Sequence, residues 1–97
     1  MIKHVVTFKL RGSDDERHAV ATRFVEALNA LPGIIPQLRT MEAAVNINPA
    51  ETWDVVLTAT ADTAADVAAY SAHPAHVAAV AIIAPYKEAR ACVDYEV

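Results

Sequence analysis

The chain has one cysteine, Cys92, so no internal disulfide is available and a reducing compartment is the natural setting. Basic residues are scarce. Eight Lys and Arg stand against twelve Asp and Glu, the formal net charge is −4, and no basic stripe forms. A nucleic-acid partner, which needs such a stripe, is not expected. Long apolar runs are missing too: the opening MIKHVVTFKL is interrupted by Lys3, His4 and Lys9. That pattern fits neither a signal peptide nor a membrane span. A cytoplasmic protein without a membrane partner is the expectation. No linker, repeat or low-complexity tail divides the chain, although residues 59–84 are rich in alanine.

What is present is apolar. Hydrophobic residues make up 55% of the 97 positions, and the charged fraction is 21%. The mean hydropathy is +0.24. This excludes disorder and is high for a small soluble monomer, pointing to apolar surface covered by another chain. A chain of this length buries only about 60–65% of its unfolded surface, so a second copy would add stability.

Periodicity supplies the elements. Ile2, His4, Val6, Phe8 and Leu10 alternate with Lys3, Val5, Thr7 and Lys9, which predicts a strand. Ser13-Asp-Asp-Glu16 has the form of a capping box, and Val20, Phe24, Leu28 and Leu31 make one helical stripe that Pro32-Gly33 ends. His18 lies off the stripe, in solvent. Ile34 and Ile35 are expected to tuck beneath the helix. Met41, Ala43, Val45 and Ile47 mark a second strand, and Trp53, Val55, Leu57, Ala59 and Ala61 a third. Asp62-Thr63 caps a helix over residues 63–72. Pro74 starts another at its first position, with Val77, Val80, Ala81 and Ala84 as the expected stripe. In the last strand, Ala91, Val93 and Tyr95 alternate with Arg90, Cys92 and Asp94, the first set expected inside. The order predicts an α+β fold of ferredoxin-like type: a four-stranded antiparallel sheet with helices on one face. The other face would carry Val5, Thr7, Val56, Thr58 and Cys92, too apolar for water. A face-to-face homodimer is the expected remedy.

The chemistry centres on YSAHPAHVAAV, residues 70 to 80. A zinc site wants three protein ligands, commonly with a carboxylate or cysteine, and none is spaced for His73 and His76. No metal and no cofactor are expected. Acid–base chemistry suits the residues better. A histidine titrates near neutrality and takes a proton from carbon beside a carbonyl, while a tyrosine hydroxyl can bind the oxygen that gains charge. Tyr70 and His76 flank the Pro74 break, which aims both at one cavity, with His4 reaching it from the first strand. The structural alternative is that each is a core residue with a polar tip, and that His73 only caps the Pro74 helix.

MIKHVVTFKL, the LPGI loop and HPAHV after an upstream tyrosine together resemble the stress-responsive α/β-barrel (Dabb) family over nearly the whole chain. The resemblance implies a single domain over residues 1–97 that pairs into a dimeric α/β barrel. It also suggests cofactor-independent acid–base chemistry of the cyclase or lyase type. By likeness to the family's olivetolic acid cyclase, His76 takes the place of the catalytic base and Tyr70 of the tyrosine that orients substrate. His4 takes the place of a pocket histidine. Where that cyclase carries a further histidine, this chain has Val55. The lining expected here is therefore His4, Phe24, Val55 and Leu57, suited to a small apolar carbonyl or phenolic ligand. Two other outcomes stay open: a non-catalytic stress-protective or ligand-binding dimer, and a cofactor-independent monooxygenase.

Overall fold

The alternation at the N-terminus becomes strand β1, Ile2–Leu10, in the computed structural model, which describes residues Met1–Val97. Its even-numbered side chains, from His4 to Leu10, are buried. The capping box then starts helix α1, Asp14–Asn29. Ser13 Oγ accepts from the Glu16 amide at 3.2 Å, and the Glu16 carboxylate accepts from the Ser13 amide at 3.4 Å. The chain continues through β2 (Thr40–Val45), β3 (Val55–Ala61), α2 (Ala64–Ala72), α3 (Pro74–Ala81) and β4 (Lys87–Glu96). The strands form one sheet in the order β2-β3-β1-β4, every neighbouring pair antiparallel. This is the ferredoxin-like α+β arrangement that the order of elements predicts.

Between sheet and helices, Phe24 of α1 meets Phe8 of β1 edge to face, ring centroids 5.0 Å apart. Two polar devices fix the layers. Asn29, at the end of α1, donates to the Ala43 carbonyl and accepts from the Ala43 amide, which tacks the helix to edge strand β2. Asp54 accepts from the Leu10 amide at 2.7 Å and from Arg17 Nε at 3.3 Å, joining β1, α1 and the approach to β3.

Four expectations need correction. Ile35 is buried as expected, but Ile34 is 54% exposed. Ile47 lies beyond the end of β2 and is almost fully exposed, because the strand stops at Val45. In α3, Val77 faces solvent, while Ala79, and Ile83 in the turn after the helix, enter the core with Ala75 and Val80 beside them. A run of alanines has too little contrast to mark its own buried side.

The fourth correction matters most. Antiparallel register sets His4 opposite Asp94 and Val6 opposite Cys92, so Arg90, Cys92 and Asp94 share the helix-facing side of the sheet. Ala91, Val93 and Tyr95 lie on the outer face. This inverts the expected sides, and it makes the outer face more apolar still: Val56, Val93 and Tyr95 are exposed there, beside the half-buried Val5. No element of the chain covers that face.

Candidate functional site

HPAH works as a unit of hydrogen-bond bookkeeping. In an unbroken helix the Ser71 carbonyl would accept from the amide of residue 75. Here the Ala75 amide donates to His73 Nδ1 instead, at 3.0 Å, so His73 is the N-cap of α3. Pro74 has no amide to offer. The Tyr70 carbonyl is taken by the His73 amide. The Ser71 carbonyl is thus released, and His76 Nδ1 donates to it at 2.9 Å. Since a carbonyl only accepts, Nδ1 carries the ring hydrogen and Nε2 of His76 keeps its lone pair.

His4 is the one polar residue in the buried set. Its Nδ1 lies 2.5 Å from Asp94 Oδ1, directly across from it on β4. Donation to that carboxylate again leaves Nε2 as the free nitrogen. The Tyr70 ring stands between the two histidines. It meets His4 at 5.9 Å and His76 at 4.4 Å between centroids, edge-on in both cases.

The two histidines share a cavity of about 100 Å³ between the sheet and the α2–α3 break. Val6, Phe8, Leu57 and Val80 make its apolar wall, and Lys87 and Arg90 add positive charge. Larger clefts, of about 370 and 460 Å³, lie around the 46–54 loop, but they contain no histidine and no cysteine. Of the residues expected at the site, His76, His4 and Leu57 reach the cavity. Tyr70 sits behind it, its hydroxyl buried without a partner in the chain. Phe24 and Val55 pack in the core and do not line the cavity. Asp94, Arg90 and Ser71 were not anticipated. Asp94 and Arg90 follow only from the register of β4, which the hydrophobic pattern misassigns, and Ser71 acts through its backbone.

Burial holds the His76 imidazole below its ordinary pKa. The Ser71 carbonyl opposes that shift, and the positive charge of Arg90 adds to it. Burial drives the Tyr70 phenol well above its usual range, so it remains protonated. The Cys92 thiol, exposed but with its sulfur partly shielded against the sheet, is also raised, first by that desolvation and then by Asp94. His76 therefore binds its proton more weakly in the folded chain than a free imidazole, whose ordinary value is about 6.5, does. Its contribution to stability is complete above that value and is lost as the pH falls through it towards the lower folded value. Melting temperature is expected to decline as the pH drops from about 7 to about 5, and to decline less in His76→Ala. A pH scan of thermal unfolding on both proteins checks this. An identical slope in the two would remove His76 as the cause.

Fold and cavity together define a ferredoxin-like α+β protein with a histidine-lined pocket between sheet and helices. A family model described as the Stress responsive A/B Barrel Domain, Dabb, matches residues 2–97, and the chain belongs to that family. A dimeric ferredoxin-like protein from Bacteroides fragilis is 47% identical, with a TM-score of 0.96 over 99% of this chain and 95% of that one. A second dimeric ferredoxin-like protein, from Thermobifida fusca, is 29% identical with a TM-score of 0.81, over 99% of this chain and 90% of that one. The hydroxynitrile lyase of Passiflora edulis shares the fold at 15% identity, with a TM-score of 0.74 over 97% of this chain and 90% of the lyase. No curated protein matches the chain. No helix is long and apolar enough to cross a membrane.

Proposed function

We propose that the protein is a homodimeric Dabb protein that binds a small carbonyl or phenolic compound at the His4–His76 cavity and carries out acid–base chemistry of the lyase or cyclase type on it. The observation that carries this reading is the convergence of two imidazoles on one cavity, each with Nδ1–H already committed and Nε2 free. His76 is the base. Kept neutral by its surroundings, Nε2 takes a proton from carbon beside the ligand carbonyl; the C–H electron pair becomes the C=C bond of an enolate, and the carbonyl π pair moves onto the oxygen. Arg90 supplies positive charge for that oxygen. Tyr70 serves through its ring, which holds both imidazoles in place. The dimer is supported by the uncovered apolar outer face and by the dimeric description of the 47%-identical relative. The Passiflora protein illustrates that this fold can host a lyase.

A thermal-shift screen of carbonyl and phenolic metabolites tests the proposal, followed by product analysis on every hit. A true ligand raises the melting temperature of wild type and of Tyr70→Phe but not of His76→Ala, whose circular dichroism remains native. Binding without product would favour the purely ligand-binding dimer. A His76→Ala protein that unfolds, or that keeps the full ligand shift, would return His76 to a packing role.

A further inference from the structure

The acid–base reading leaves Cys92 without a task, yet its sulfur sits beside the His4–Asp94 pair. Sγ is 3.5 Å from His4 Nδ1 and 3.6 Å from Asp94 Oδ1, and those two atoms are 2.5 Å apart. One potential ligand atom from each residue therefore lies within 4.8 Å of the others. Around tetrahedral zinc, bonds of about 2.3 Å to sulfur and about 2.0–2.1 Å to nitrogen and oxygen place sulfur roughly 3.5 Å from either harder ligand. Both sulfur distances already match. The same geometry separates nitrogen and oxygen by roughly 3.3 Å. The closer approach of His4 to Asp94 reflects the proton between them. Asp94 has room to open the gap, since its side chain is 46% exposed.

We propose that His4 Nδ1, Cys92 Sγ and Asp94 Oδ1 form a three-ligand site for a divalent ion of the zinc type, with a fourth position left for water. The donor set selects the metal. A nitrogen, a sulfur and one carboxylate suit zinc or cobalt, whereas calcium and magnesium demand shells of oxygen. The scaffold is rigid: two residues apart on β4, Cys92 and Asp94 share a face, and the β1 ladder sets His4 opposite Asp94. His73 and His76 take no part, which is why the spacing of HPAH gives no hint of the site. The site does not rest on the acid–base reading, though filling it would put a proton on the His4 Nε2 that the reading leaves free.

The proton balance is definite. Cys92 binds as thiolate and releases its thiol proton to solvent. The metal replaces the proton on His4 Nδ1, and exchange with water places one on Nε2, so His4 stays neutral. One proton leaves per ion, and the two anionic ligands balance the ion's two positive charges.

The test uses the full chain, reduced and free of chelator, titrated with Zn²⁺ and separately with Co²⁺. The expected result is one Zn²⁺ per chain by calorimetry, with one proton released as judged from the buffer dependence of the heat. The Co²⁺ complex should show a thiolate-to-cobalt charge-transfer band and the intense visible bands of a tetrahedral site. Cys92→Ser should abolish the charge-transfer band, and both it and Asp94→Asn should weaken binding on the order of tenfold or more. These two positions are exposed, so folding should survive, with circular dichroism as the check. His18→Ala, on the far solvent side of α1, should bind as wild type does. Absence of uptake by the folded wild type, a cobalt complex without the thiolate band, or undiminished binding in Cys92→Ser would each overturn the proposal.

Discussion

Replacing Phe24 with alanine is expected to bring the protein to the edge of unfolding at room temperature. Phe24 is completely buried between α1 and the sheet, edge-on to Phe8 of β1. Truncating such a ring costs about 3–5 kcal/mol, because burial is lost and the void is only partly refilled. Whole domains are stable by only about 5–15 kcal/mol, and a chain of this size belongs near the lower end. Relaxation offers little relief. The strands on one side of the ring are held by their ladders, and α1 is anchored at both ends by Arg17–Asp54 and Asn29–Ala43. Urea denaturation at fixed protein concentration should show a midpoint lower by more than about 1 M, taking a slope of about 1–3 kcal/mol/M. A loss below about 1 kcal/mol would mean that sheet and helix close over the void.

Val93→Asp should have an effect of similar size by a different route. Val93 is 63% exposed within the chain and stands opposite Val5 on the outer face of edge strand β4. If that face pairs with a second copy, the substitution buries a carboxylate without a partner, twice per dimer through the symmetry of the contact. An uncompensated buried charge costs several kcal/mol, enough to split most small interfaces. Native mass spectrometry should show a monomer where wild type is a dimer, with a lower melting temperature. A Val93→Asp protein that remains a dimer would move the interface elsewhere and leave the apolar outer face unexplained.

The same face shows why the sequence pattern places β4 on the wrong side. Residues 2–10, the Ser13–Glu16 box, the Thr63 cap and Pro74 at the start of α3 act through neighbours close in sequence, so local patterns reveal them. β4 is different. Its apolar set, Ala91, Val93 and Tyr95, points away from the helices, and the usual rule that apolar residues face the chain's own core fails there. Periodicity finds the strand but cannot choose its side; only pairing with β1 does so. With the side reversed, Cys92 and Asp94 arrive beside His4 from 88 and 90 positions along the chain. His76 and His4 could be singled out as polar residues in apolar surroundings. Asp94, Arg90 and the Ser71 carbonyl could not, because an exposed edge strand and a backbone oxygen leave no signature of their own.

The interruption at Pro74 has a chemical consequence as well as a geometric one. Restoring an amide there, as in Pro74→Ala, would let the helix run on and draw the Ala75 amide back to Ser71. His76 would then lose the acceptor that decides which of its nitrogens is basic. Every ionisable side chain would still be in place, yet the site's proton inventory would be rewritten. Acid–base behaviour here is governed partly by a hydrogen atom that residue 74 does not possess.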